Sequence, residues 1–154
     1  MRWQERLAWL LSLGALAGCG PAQPDRTAPQ AFEGRGFRAT LRKDVLHNTI
    51  TPQPGVTLYD FHVGSKPLLL VYVGDKPGYP RFAWRPEREE ELALPSGLHG
   101  QCRAAQTEHG RARECLITLG RSSPRALHVS YEALGPDWVE VADGIIASVA
   151  PSGS

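Results

Sequence analysis

The sequence predicts an α+β fold, in which a C-terminal amphipathic helix packs on a mainly antiparallel sheet of about 5–6 strands. Two observations lead to this prediction. Short apolar or alternating segments separated by turn residues occupy much of 56–131, which is typical of antiparallel strands. Apolar residues then recur at helical spacing from Trp138 to Val149, which indicates a helix with one buried face.

The clearest strands lie in the middle of the chain. Residues 56–63 are rich in β-branched and aromatic side chains, and Tyr59 and Phe61 belong to the more apolar face. Residues 68–73 are apolar on both faces, which predicts a central strand that is covered on both sides. Turn residues at 64–67 separate the two segments, so we expect a hairpin.

The segments on either side of this hairpin are harder to interpret. Residues 37–41 form a weak strand candidate, and 42–54 are expected to be a loop with a short helix at 43–48. The prolines that follow Gly74 predict an irregular segment. The charged residues 87–94 are expected to form a helical turn.

Three further strands and one helix complete the predicted domain. The strands are expected at 98–105, 114–119 and 125–131. Pro136 suits the first position of the helix, and Pro151 is expected to end it.

The two cysteines of the predicted domain lie on the arms of a hairpin. Cys102 and Cys115 are an even pair, which in an oxidising compartment predicts a disulfide. They face each other directly if the tip is Glu108 and His109. A four-residue tip would offset them, and a three-residue tip would place them on opposite faces. The alternatives are a metal site in which His99 and His109 join the two sulfurs, and free thiols or pairing between molecules.

The N-terminal residues have the features of a targeting segment. A short polar start with two arginines precedes an apolar run at 7–17, which is too short to span a bilayer but has the length of a signal-peptide core. The motif Leu16-Ala17-Gly18-Cys19 follows. It resembles the lipobox of bacterial lipoproteins, and the resemblance covers the first 20 residues.

The resemblance implies cleavage before Cys19 and acylation of its thiol, for example with palmitate. Because Gly20 and not aspartate follows the cysteine, it also implies an outer-membrane lipoprotein facing the periplasm. The expected organisation is a signal peptide at 1–18, the lipidated cysteine and a flexible linker at 19–36, one domain at 37–150 and a tail at 151–154. The linker prediction depends on its proline and glycine content.

Charge and motifs exclude several functional classes. The chain has 17 basic and 16 acidic side chains, without the basic excess of nucleic-acid-binding domains. It has no Gly-x-Ser-x-Gly motif and no cofactor motif. Asp60 and His62 share a face of one strand and are the best candidates for base catalysis, but the preferred interpretation is a solvated strand face. The glutamates of 87–91 are best interpreted as another solvated face.

The best functional candidate is the loop at 76–86. Its aromatic and arginine side chains are of the types enriched at binding hot spots. They are Tyr79, Arg81, Phe82 and Trp84. The alternative is that the aromatic residues fold back and cover the sheet.

The sequence therefore predicts a lipid-anchored envelope protein that binds another envelope component, without catalysis, cofactor or metal. The membrane is its partner through the lipid, and an envelope protein is its partner through the loop. The alternatives are a periplasmic inhibitor or immunity-type lipoprotein and a small hydrolase.

Overall fold

The structure, a computed structural model, describes residues 25–76 and 84–153. These residues form ten β-strands and one α-helix. The elements are β1 (Pro29–Gly34), β2 (Phe37–Arg42), β3 (Leu46–Gln53), β4 (Val56–Val63), β5 (Lys66–Gly74), β6 (Arg88–Ala93), β7 (His99–Thr107), β8 (Gly110–Thr118), β9 (Ala126–Leu134), α1 (Pro136–Ala147) and β10 (Ala150–Pro151).

The strands form two antiparallel sheets. The larger sheet has seven strands in the order β3-β4-β5-β9-β8-β7-β6, and the smaller has three in the order β1-β2-β10. The α+β class and the C-terminal helix are confirmed. The expected single sheet of 5–6 strands is wrong, because the large sheet has two further strands at its edges and the termini of the domain build a second sheet.

The helix α1 covers one face of the large sheet and also contacts β2. It begins at Pro136, with Asp137 in its first turn, and buries Ala142, Ile145 and Ile146. It ends at Ala147, two residues before the predicted apolar pattern ends, because the chain turns to add β10 to β2. No helix in the described ranges has the length and apolarity required to cross a bilayer.

The folded domain begins earlier than 37. Residues 29–34, which were expected to belong to the linker, pair along their whole length with β2. Phe32 accounts for the difference, since its ring packs edge-on against Tyr59 and Phe61 with centroids 5.3 Å and 5.0 Å away. Burial of one aromatic side chain stabilises by about 2–3 kcal/mol, which favours a strand over a free tether.

Two other segments also differ from the prediction. The loop and short helix expected around 43–48 are replaced by β3, and the helical turn expected at 87–94 is replaced by β6. Both are edge strands of the large sheet. All eight residues of β3 are exposed and β6 is charged, so neither shows the alternation that identifies a half-buried strand.

The β4–β5 hairpin and the central position of β5 are confirmed. The β7–β8 hairpin has the two-residue tip Glu108-His109, because Thr107 pairs with Gly110. This register places Cys102 directly opposite Cys115, and the two form a disulfide with a Cα–Cα distance of 4.0 Å.

Candidate functional site

The face of the large sheet that points away from α1 carries a row of polar residues at its centre. Strand register places Arg103 beside Glu114, Glu114 beside Ser130, and Ser130 beside Leu70. His128 lies two residues before Ser130 on β9 and therefore shares this face. We refer to Leu70, Arg103, Glu114, His128 and Ser130 as the outer face.

A buried ion pair occupies the middle of the outer face. The Oε2 atom of Glu114 lies 2.9 Å from Nε2 of His128, and its Oε1 atom lies 3.7 Å from Nη1 of Arg103. The Glu114 side chain has no solvent exposure and that of His128 has 5%. A carboxylate removed from water is tolerated only with charged or hydrogen-bonding partners, so Arg103 and His128 stabilise it in the fold.

Trp84 packs over this ion pair at the Arg103 side. The centre of the Arg103 guanidinium lies 5.5 Å from the centroid of the Trp84 ring, within the range of a cation–π contact. Trp84 is half-buried. Of the four loop residues predicted to bind a partner, Tyr79, Arg81 and Phe82 lie outside the described residues. Trp84 rests on the sheet with part of its surface open.

Beside Trp84 the outer face forms an open groove of about 630 Å³. Leu70 and Ser130 contribute to its lining from the sheet. Three carboxylate residues from three different places in the fold also line it, namely Asp60, Glu108 and Glu132. The groove thus combines apolar surface with three carboxylates, of which Glu108 lies 3.0 Å from Nε2 of His109, another lining residue.

Ser130 carries an unsatisfied polar atom in this groove. The residue is 2% exposed, and its Oγ atom has no hydrogen-bond partner among the described residues. A buried hydroxyl without a partner costs about 1–3 kcal/mol. Because this atom has almost no solvent exposure, it lies beneath the surface of the groove.

The structure does not assemble the predicted Asp60–His62 pair as a catalytic dyad. Nδ1 of His62 lies 3.3 Å from the main-chain oxygen of Asp60. General-base catalysis of the predicted kind requires the carboxylate to orient the imidazole. The contact of His62 is therefore a local one with the main chain of its own strand.

The disulfide removes the alternative metal site. The sulfur atoms of Cys102 and Cys115 are bonded to each other and are not thiolate ligands. Throughout 25–76 and 84–153, no three histidine, cysteine or acidic residues lie close enough to hold a metal ion.

The helix side of the sheet carries a second ion network, centred on Arg113. Its guanidinium lies 2.9 Å from Oδ1 of Asp143 in α1 and 2.7 Å from Oε1 of Glu90 in β6, and Tyr131 donates a 3.0 Å hydrogen bond to Asp143. Burial and the neighbouring charge of Asp143 both raise the pKa of Tyr131. This network ties the helix to the sheet across the core.

The acidic run at 87–91 belongs partly to this network. Burial raises the pKa of Glu90, but the hydrogen bond from Arg88 and the charge of Arg113 outweigh burial, so that the pKa lies below its ordinary value. Glu87 instead accepts a hydrogen bond from the main-chain N–H of Gln106 at 3.1 Å. These contacts give both carboxylates structural roles.

The lowered pKa of Glu90 predicts a specific loss of stability in acid. Because the unfolded chain takes up the proton first, the contribution of Glu90 is fully present above about pH 4.5 and declines as pH falls through the lower pKa of the folded state. We expect Glu90→Gln to flatten this part of the stability–pH curve, measured by urea unfolding between pH 7 and about pH 3. The exposed Glu91→Gln serves as control, and equal acid slopes for the two variants would contradict the assignment.

Comparison with known proteins does not assign a role to these residues. No protein-family model matches the chain, and no curated protein has a significantly similar sequence.

Sequence reasoning missed the buried ion pair and the groove. The contact between Arg103 and Glu114 could have been predicted, because the two-residue hairpin tip that aligns the cysteines also aligns these two residues. The contribution of His128 and Ser130 depends on the pairing of β9 with β8 and β5, which residue spacing alone does not specify.

Proposed function

We propose that the protein is a lipid-anchored envelope protein that acts as a non-catalytic binding module. Its groove beside Trp84 receives a basic segment of another envelope protein. The observation that carries this proposal is the groove itself, where three carboxylate residues line a surface that is also apolar. The mature chain is held at the outer membrane, on the periplasmic side, by acylation of Cys19, which the lipobox motif supports.

The groove chemistry fits a lysine or arginine side chain. Such side chains place their methylene stem on apolar surface and keep the charged end among acceptors, here Leu70 and Trp84 for the stem and the carboxylates for the charge. The aromatic ring of Trp84 adds a surface that attracts cations.

The burial of the Glu114–His128 pair supports a binding role over catalysis. A catalytic imidazole must reach the substrate, directly or through water, whereas His128 is almost completely buried and bonded to a carboxylate. Rigid burial of this pair holds the groove surface in one shape and lowers the ordering cost of binding.

The experiment that tests the proposal is affinity capture of the lipidated protein from its native envelope with two charge-reversal variants. Glu132→Lys changes the rim of the groove. Glu140→Lys makes the same change on α1, on the opposite side of the sheet, and both residues are exposed. We expect one protein with a basic contact segment to be retained by the wild type and by Glu140→Lys, and to be reduced at least tenfold by Glu132→Lys.

Equal recovery with both variants would contradict binding at the groove. A reduction with Trp84→Ala is also expected. Because Trp84 packs on Arg103, the melting temperature of Trp84→Ala must be measured beside its binding, and a large fall would reassign Trp84 to the support of the fold.

A further inference from the structure

The edge strand β3 differs from every other strand in its exposure. All eight of its residues are exposed. Leu46 and Ile50 are 55% and 53% exposed, and they are the large hydrophobic residues that stand out as exposed in the described part of the chain. The strand contains no lysine, arginine, aspartate or glutamate. Natural edge strands are usually protected by charge, by proline or by bulges. In β3 the proline at 52 and the irregularity lie beyond Ile50, whereas β6 at the opposite edge has four charged residues in succession.

Main-chain groups of β3 point to the open edge. Pairs in an antiparallel sheet alternate between hydrogen-bonded and non-hydrogen-bonded, with Cα atoms about 5.5 Å and about 4.5 Å apart. The 4.0 Å separation of Cys102 and Cys115 marks a non-hydrogen-bonded pair. One row of paired residues runs from these cysteines to the edge, through Val129, Val71, Tyr59 and Thr49. Because hydrogen-bonded and non-hydrogen-bonded pairs alternate along this row, Tyr59 and Thr49 form a non-hydrogen-bonded pair, and the N–H and C=O of Thr49 point outward. Those of His47, two residues away on the same strand, point outward as well.

We propose that a second copy of this chain pairs with β3, antiparallel, about a two-fold axis at Asn48. A two-fold interface must be complementary to itself, and β3 meets this requirement. The axis places Leu46 of each copy opposite Ile50 of the other, so that both exposed apolar side chains are covered. The absence of charge in β3 removes the repulsion that identical charged edges would produce.

The same register pairs the outward main-chain groups. His47 of one copy lies opposite Thr49 of the other as a hydrogen-bonded pair, and the two Asn48 residues form a non-hydrogen-bonded pair with adjacent side chains. The ladder is short because an irregularity interrupts the strand between Ile50 and Gln53. Such a contact is smaller than the roughly 1,600 Å² of a standard interface, so the dimer is weak and depends on concentration.

The test is disulfide cross-linking of Asn48→Cys in the full chain, in its native membrane, after mild oxidation. The two introduced thiols would face each other across the axis in the geometry of Cys102 and Cys115, which are already bonded to each other. We expect a covalent homodimer of twice the mass. Ser65→Cys, in the exposed β4–β5 turn, and the unsubstituted chain are controls for random collision and for Cys19.

A second substitution separates pairing from collision. Adding Ile50→Lys to Asn48→Cys places a charge against Leu46 of the other copy and is expected to reduce the cross-linked fraction at least fivefold. Ile50 is exposed, so the melting temperature should not change. A homodimer yield equal to that of Ser65→Cys, no response to Ile50→Lys, or a cross-link to a different protein would each overturn the proposal.

Discussion

Glu114→Gln should lower the free energy of unfolding by about 3–5 kcal/mol, the usual cost of breaking a buried ion pair by removing one partner. The substitution keeps the size of the side chain and removes its charge. Arg103 would then lose the carboxylate that compensates its charge, and the contact with His128 would weaken. The effect is large because the Glu114 side chain is completely buried and water cannot replace it.

The matched control for this prediction is Glu89→Gln. Glu89 flanks Arg103 on the β6 side, in the register position that corresponds to Glu114 on the β8 side, but it is exposed. An exposed charge of this kind contributes at most about 0–1 kcal/mol, even where it forms an ion pair. Urea unfolding of both variants at pH 7 gives the comparison. A loss below about 1 kcal/mol for Glu114→Gln, or equal losses for the two, would contradict the role of the buried pair.

Reduction of the Cys102–Cys115 disulfide should lower the free energy of unfolding by about 3 kcal/mol, the value expected for a closed loop of about 15 residues. The bond closes the β7–β8 hairpin and joins cysteines with a sequence separation of 13. Most of its effect lies in the unfolded state, which expands when the bond is removed. We therefore expect the denaturant dependence of unfolding to steepen at the same time.

The measurement compares urea unfolding of the wild type with and without reductant. Cys102→Ala with Cys115→Ala provides the second comparison and should be at least as destabilised as the reduced protein, because both sulfur atoms are buried in the core. Equal stability of the oxidised and reduced wild type would show that the bond does not constrain the unfolded chain. Any further loss of stability in the double alanine variant would then come only from the packing of the two side chains.

The parts of the fold that could be predicted are those in which burial leaves a pattern in the sequence. The apolar run 68–73 identified β5 as a central strand, although Leu70 and Tyr72 on its outer face are only half-buried, and α1 repeats its buried residues at helical spacing. The edge strands leave no such pattern. β3 buries no residue. In β6, Glu90 forms an ion pair with Arg113, which lies on β8 and is distant in sequence.

The candidate site was less accessible to prediction for a related reason. Trp84 was recognisable as a residue type suited to binding. The sheet surface on which it packs, however, depends on the order of the strands. Ser130 becomes part of a groove only because β9 lies between β5 and β8, and Glu108 reaches the same groove from the tip of the β7–β8 hairpin. Contacts of this kind are set by tertiary packing and not by local spacing.

Site-specific photo-cross-linking in intact cells tests the central claim, partner binding at the groove, most directly. A photoreactive residue is introduced at Glu132 on the groove rim or at Glu140 on α1, with both variants expressed as the full chain. If a partner binds at the groove, we expect one discrete cross-linked product of higher mass from position 132 and none from position 140. No product at position 132, or the same products at both positions, would contradict binding at the groove.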